Sequence, residues 1–277
     1  MTPEQLFKNI RDKRSFLCIG LDTDFTRLPH VLLDKSYPLF EFNKRIIDAT
    51  VDLAIAYKPN LAFYESLGAA GWMSLEMTVN YIRKNFPGIF LIADAKRGDI
   101  GNTSALYANA FFNNLDFDAI TVSPYMGSDS ITPYFEYENR WIVALALTSN
   151  EGSHDFQELD IGSTGKRLFE HVLESVKNWG NTGNTMFVVG ATRAEHLADV
   201  RKIVPDHFLL IPGIGAQGGD LQEVFKWGHN KHCGMLVNVS RSIIYADLSS
   251  GFDITARQKA LEIRDQMEEL LLGAGLI

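Results

Sequence analysis

The segment Ile92-Ala-Asp-Ala-Lys-Arg-Gly-Asp-Ile100 places Asp94, Lys96 and Asp99 close together in the chain. On an extended strand, residues two apart point to one face, so Asp94 and Lys96 are expected to project together. Gly98 then bends the chain and sends Asp99 in another direction. Taken alone, such a pair can be no more than an ion pair closing a strand, with Asp99 capping the next helix. Lys58, at the end of another apolar run, changes that reading, because two ammonium groups and a carboxylate then crowd one pocket. Neighbouring charges shift one another's protonation, a property that marks functional sites. A Lys–Asp–Lys array keeps both lysines protonated, and it can deliver a proton to carbon or stabilise negative charge developing there without a metal.

A second informative stretch is Pro212-Gly-Ile-Gly-Ala-Gln-Gly-Gly-Asp220, between an apolar run and a helical pattern. Its Gly213, Gly215 and Gly218 match the dinucleotide spacing G-x-G-x-x-G, but no acidic residue closes the next strand, which ends Asn238-Val-Ser-Arg241. A nicotinamide cofactor is therefore not expected. The better reading is a phosphate site: glycines let backbone N–H groups approach the anion, Arg241 supplies a charged fork and Gln217 an amide donor.

Something must carry these residues to one place. Short apolar runs recur eight times, at 16–21, 53–57, 90–95, 119–123, 141–148, 186–189, 208–211 and 235–239. Several are apolar at nearly every position, which suits parallel strands covered on both faces. Segments that can turn a helix, such as 40–52, 74–86, 163–179, 193–204 and 219–228, lie between them. The pattern predicts an α/β fold, one (β/α)8 TIM barrel over residues 1–277, with an extra helix at 2–14 and a closing helix at 254–272. In such a barrel the strand C-termini and the loops after them face the mouth where chemistry occurs. In order they carry Asp22, Lys58, Asp94 with Lys96, Ser123, Ser149, Thr192, the 213–219 loop and Ser240-Arg241.

Composition narrows the function further. The 277 residues hold 26 Lys and Arg against 34 Asp and Glu, a net charge of −8, the wrong sign for a general nucleic-acid binder. No run approaches the roughly 20 apolar residues of a membrane span, and the charged first residues do not read as a secretory signal, so a cytoplasmic protein is expected. Cys18 and Cys233 both lie in or beside apolar runs, where a reduced buried thiol is the common state. His229, His232 and Cys233 fit no zinc spacing and read as a surface loop; no metal ligands are expected. The aromatic residues between Phe111 and Tyr137 have no interleaved basic residues, so they are expected to pack and not to stack on bases.

The run Asp94-Ala-Lys96-Arg-Gly-Asp99-Ile100-Gly-Asn-Thr103 resembles the signature of the orotidine 5′-phosphate decarboxylases, and the flanking sequence is similar to their longer bacterial subgroup. Cys18-Ile-Gly-Leu-Asp22 resembles the family's first strand and Tyr57-Lys-Pro-Asn its second. Pro212–Gly219 resembles its phosphate loop and Ser240-Arg-Ser-Ile-Ile-Tyr-Ala its last strand. The resemblance implies a cofactor-free carboxy-lyase of pyrimidine biosynthesis that converts orotidine 5′-phosphate to uridine 5′-phosphate. It implies that Lys96 protonates C6, that Asp94 sits against the substrate carboxylate, and that Lys58 anchors the charges and the ribose. Asp22 would hold a ribose hydroxyl, Ser149 lie near the base, and Gln217 with Arg241 grip the phosphate, Ser240 standing where shorter relatives usually have Gly. Asp99, with Ile100 and Thr103, would enter the neighbouring subunit's site, so the resemblance also implies a homodimer. Two other readings stay open: a Mg²⁺-dependent sugar-phosphate lyase or aldolase on the same barrel, and a non-enzymatic barrel that binds phosphorylated metabolites.

Overall fold

The computed structural model describes residues 1–162, 165–215 and 218–277. The strands are β1 (Leu17–Gly20), β2 (Ala56–Lys58), β3 (Phe90–Arg97), β4 (Ala119–Val122), β5 (Trp141–Leu147), β6 (Thr185–Val189), β7 (Phe208–Pro212) and β8 (Met235–Val239). They run parallel and close in chain order, with β8 pairing back onto β1. The helices are α1 (Pro3–Lys13), α2 (Pro38–Thr50), α3 (Leu61–Glu65), α4 (Gly68–Asn85), α5 (Gly101–Ala108), α6 (Leu168–Trp179), α7 (Ala194–Ile203), α8 (Leu221–Gly228), α9 (Arg241–Ile244) and α10 (Phe252–Gly273). The TIM-barrel architecture is thus the one that the alternation of apolar runs and helical periods predicts.

Three local differences have physical causes. The second strand starts later than Leu53, because the N–H groups of Leu53 and Ala54 still bond back to Thr50 O at the end of α2. The connection from β4 to β5 is a series of short 3-10 turns at 124–126, 128–130 and 132–136 instead of an α-helix; Pro124, Gly127 and Pro133 interrupt it. Helix α6 begins at Leu168, where the Glu170 carboxylate accepts the Arg167 N–H, and Ser163 and Thr164 lie outside the described residues.

The floor of the barrel is sealed so that the mouth alone stays open. Thr2 and Gln5 cap α1 reciprocally with Pro3 in its first turn, a cap that stabilises a helix start by about 1 kcal/mol. Leu6 and Ile10 of α1 are buried, and the backbone of Met1 accepts a bond from Trp141 Nε1 at 2.8 Å. Phe90, Trp141 and Phe208, the first residues of β3, β5 and β7, meet edge to face with centroids 6.1 and 6.3 Å apart, one layer drawn from alternate strands. At the side, α10 packs on α2 through Phe42 and Phe252, stacked at 4.9 Å, and through the Arg45–Asp253 and Arg257–Asp52 pairs. Phe111, Phe112, Phe117 and Tyr134 are buried, in keeping with a packing role, whereas Tyr125 is 84% exposed. Both cysteines are buried free thiols.

His207, just before β7, is buried against Phe187 with neither ring nitrogen hydrogen-bonded among the described residues. Burial, and then the nearby cations of Arg201 and Lys177, push its pKa down from 6.5 to about 4. Its neutral form is the folded form, so the unfolded chain binds the extra proton between those two values. The His207 contribution to stability is therefore complete above about pH 6.5 and falls away as the pH drops toward 4, by on the order of 3 kcal/mol. Urea unfolding of wild type and His207→Phe at pH 7 and pH 4.5 should show the variant losing less stability on acidification; equal losses would contradict this account.

Candidate active site

The ladder between β3 and β4 is interrupted at the mouth of the barrel. Ala93 pairs with Ile120 and Arg97 with Val122, so Asp94, Ala95 and Lys96 stand opposite Thr121 alone. Lys96 takes a left-handed backbone conformation, φ +48°, which costs a non-glycine residue about 1–2 kcal/mol. Asp94 and Lys96 do converge as the sequence predicts, but a bulge brings them together, and simple strand alternation does not. Thr121 fills the bulge: its hydroxyl accepts the Lys96 N–H at 2.8 Å and donates to Asp94 Oδ1 at 3.1 Å.

Asp94 stands between two ammonium groups, with Lys58 Nζ 2.7 Å from Oδ2 and Lys96 Nζ 2.6 Å from Oδ1. Lys58 is 4% exposed and Asp94 9%, whereas the Lys96 side chain is about half exposed. Burial works against the Asp94 carboxylate, yet the two lysines outweigh it and hold its pKa well below the usual carboxylate range. Burial likewise works against the Lys58 charge, and Asp94 with Asp22 more than offsets it, so Lys58 is held above the ordinary lysine value. Asp94 and Lys58 are therefore both ionised at neutral pH.

Two adjoining hollows open on this array and share Lys58, Asp94 and Pro212 as a common wall. The larger, about 250 Å³, adds Lys96, Thr121, Thr148, Ser149 and Asn150, with apolar sides from Leu145, Val188 and Leu210. The smaller, about 150 Å³, adds Asp22, Asn60, Gly213, Asn238, Ser240 and Arg241. Asp22 Oδ1 is buried there without a hydrogen-bond partner among the described residues, so its capacity as an acceptor is left over. Tyr245 holds the Asp22 segment in place, its hydroxyl bonded to Asp24 N at 2.6 Å and Asp22 O at 3.3 Å. Gly215 at φ +78° and Gly213 at φ +108° let the loop after β7 turn over this hollow. Ser240 Oγ donates to Gly20 O, where the strands approach so closely that a Cβ on Gly20 would lie 2.7 Å from Ser240 Cβ.

The expected residues fall into three groups. Lys58, Asp94, Lys96, Asp22, Ser149, Ser240 and Arg241 line the two hollows. Asp99, Ile100 and Thr103 line neither; Asp99 Oδ1 accepts the Ile100 N–H, and Ile100 and Thr103 are exposed at the start of α5. Gln217 lies outside the described residues. Two strand-end positions read as facing the mouth do not line these hollows. Ser123 lies past the point where Arg97 resumes the ladder and faces a separate apolar cavity, and Thr192 sits in a 3-10 turn. Sequence reasoning passes over Thr121 and Asn60, although Asn60 stands two residues after Lys58 and the same positional rule reaches it.

Among the described residues, no group of three or more His, Cys, Asp or Glu side chains is placed to hold a metal ion. His229 is half-buried and stacks on Phe225 at 4.5 Å, His232 is exposed, and Cys233 is buried in the Asn230–Cys233 turn, so only part of this segment is surface loop.

A model of the orotidine 5′-phosphate decarboxylase / HUMPS family matches residues 15–250. Orotidine 5′-phosphate decarboxylase of Bacteroides fragilis (strain YCH46) is 59% identical over 271 residues, 98% of each chain. The protein of that name from Flavobacterium johnsoniae is 56% identical over 271 residues, again 98% of each chain. Among solved structures, Leishmania donovani OMP decarboxylase superposes with a TM-score of 0.83 at 38% identity, covering 98% of this chain and 99% of that one.

Replacing Asp94 by Asn would leave the buried Lys58 ammonium with far less compensation. The expected loss of folding stability at pH 7 is about 3 kcal/mol, read from the urea midpoint. An unchanged midpoint would mean that Lys58 does not depend on Asp94 for its burial.

Proposed function

Since the chain belongs to the orotidine 5′-phosphate decarboxylase / HUMPS family, we propose that the Lys58–Asp94–Lys96 array over the two hollows is its decarboxylating centre, with Lys96 as the proton donor. The protein is a decarboxylase of orotidine 5′-phosphate, acting in pyrimidine biosynthesis. The sugar-phosphate lyase and non-enzymatic readings are not favoured by these relatives.

The shape of the site suits the substrate in two parts. The larger hollow, with apolar sides and the polar ends of Thr148, Ser149 and Asn150, fits a pyrimidine; the smaller, with Asp22, Asn60 and Arg241, fits a ribose phosphate. In the reaction the bond from C6 to the carboxylate breaks, its electron pair stays on C6, and carbon dioxide leaves. Lys96 then gives C6 a proton and is reprotonated from water, which its half-exposed side chain can reach. Lys58 and Lys96 are fixed before the substrate arrives, so they stabilise the developing carbanion without reorganising. Asp94, ionised and immobile, sits where the substrate carboxylate must lie and loses an unfavourable neighbour as that group departs neutral. Phosphate bound by Arg241, with Gln217 as the sequence suggests, is remote from the breaking bond, and its binding energy can serve to hold the reacting end in place.

Three residues outside the hollows complete the reading. Asp99, Ile100 and Thr103 begin α5 on the outer surface, near exposed Leu106, which favours a homodimer in which this segment enters the partner's site. A cytoplasmic location accords with two buried free thiols and with the lack, among the described residues, of a helix long and apolar enough to cross a membrane.

The carrying observation is the pair of short Lys–Asp contacts at the junction of the two hollows. Metal-stripped protein given orotidine 5′-phosphate should consume it, seen as a fall in pyrimidine absorbance. Lys96→Ala should abolish turnover while uridine 5′-phosphate affinity stays within about tenfold. Turnover that needs added Mg²⁺, or survives in Lys96→Ala, would remove Lys96 from its role. Mixing inactive Lys96→Ala and Asp99→Ala chains should restore one working site per mixed dimer; proven heterodimers without activity would confine Asp99 to its own subunit.

A further inference from the structure

The bulge that presents Lys96 is held from two sides, and the second side has no part in the site described above. The peptide joining Ala95 to Lys96 is a rigid plane whose orientation sets φ of Lys96. Its N–H is taken by Thr121 Oγ1, and its carbonyl accepts from Arg97 Nη1 at 3.0 Å. The Arg97 side chain thus hooks back across Lys96, while its own carbonyl accepts Ser123 N–H at 2.8 Å and resumes the ladder.

Arg97 is itself tightly held. Its Nη2 pairs with the carboxylate of Glu65, the last residue of α3. Its guanidinium lies over Tyr107 in α5 and Phe111 beyond it, 5.3 and 5.7 Å from the ring centroids. A planar fork can meet a carbonyl and a carboxylate while resting on aromatic faces, which a lysine ammonium cannot. One side chain therefore joins the helix after β2, the bulge in β3, and the helix that follows Asp99.

We propose that Arg97 is a positioning residue for the decarboxylation: locked by Glu65, Tyr107 and Phe111, it holds the Ala95 carbonyl and so keeps Lys96 in the left-handed turn that aims its ammonium at Asp94 and the reacting carbon. The inference rests on Lys96 as proton donor. Arg97 touches neither hollow, so its loss misplaces an acid and leaves the binding surfaces intact.

Steady-state kinetics of Arg97→Met should show kcat lowered about 100-fold, the cost of a misplacement near 1 Å, with KM and uridine 5′-phosphate affinity within about threefold. Guanidinium ion added at low millimolar concentration should restore part of the kcat of Arg97→Ala and none of that of Lys96→Ala. Glu65→Gln, farther from the bulge, should lower kcat by about tenfold with KM kept, and it carries the test if the Arg97 variants do not fold. Full kcat in Arg97→Met, or an equal loss of kcat and nucleotide affinity with no guanidinium rescue, overturns the positioning role while leaving Lys96 in place. Turnover by Lys96→Ala overturns both.

Discussion

One carboxylate clasped by two ammonium groups governs the mouth of this barrel. Lys58 is buried, and a buried cation is tolerated only with a compensating charge at contact distance, which Asp94 supplies at 2.7 Å. Asp94 in turn is buried against its own preference and stays ionised because lysines flank it on both oxygens. Neither group can be moved alone. The array is stiff for that reason, and stiffness is what a site needs if it is to stabilise a carbanion by charges already in position.

The same carboxylate forms part of the wall between the two hollows, so the site reads a ligand from both ends at once. On the proposed placement of the substrate, polar interactions formed in the smaller hollow act on a molecule whose other half lies against Asp94 and Lys96. Interaction energy gathered far from the reacting bond is thereby converted into proximity at it. The sealed floor, built by α1 and the layer of Phe90, Trp141 and Phe208, provides the rigid base on which those few ångströms are kept.

Much of this was legible in the sequence because it depends on position. Apolar runs and helical periods locate the strands, and strand ends locate Asp22, Lys58, Asp94, Lys96, Ser149, Ser240 and Arg241. What alternation cannot show is a break in alternation: the bulge at 94–96 comes from a register shift against Thr121, a long-range pairing without a local signature. That shift is why Thr121, and not Ser123, faces the charges. The Arg97 clamp was hidden for the same reason, its partners Glu65, Tyr107 and Phe111 being scattered along the chain. Asp99, Ile100 and Thr103 share the motif with Lys96 but not its cavity, since Gly98 carries the chain outward.

The backbone at Lys96 has a further consequence. A positive φ suits glycine, so at this one residue folding and chemistry make opposite demands. Emptying that position of its side chain would relieve the backbone but take from Asp94 one of its two ammonium partners, so strain and charge compensation are bound together in one residue. On the proposed role, the lysine is a locus of tension between its own backbone and the charge it carries.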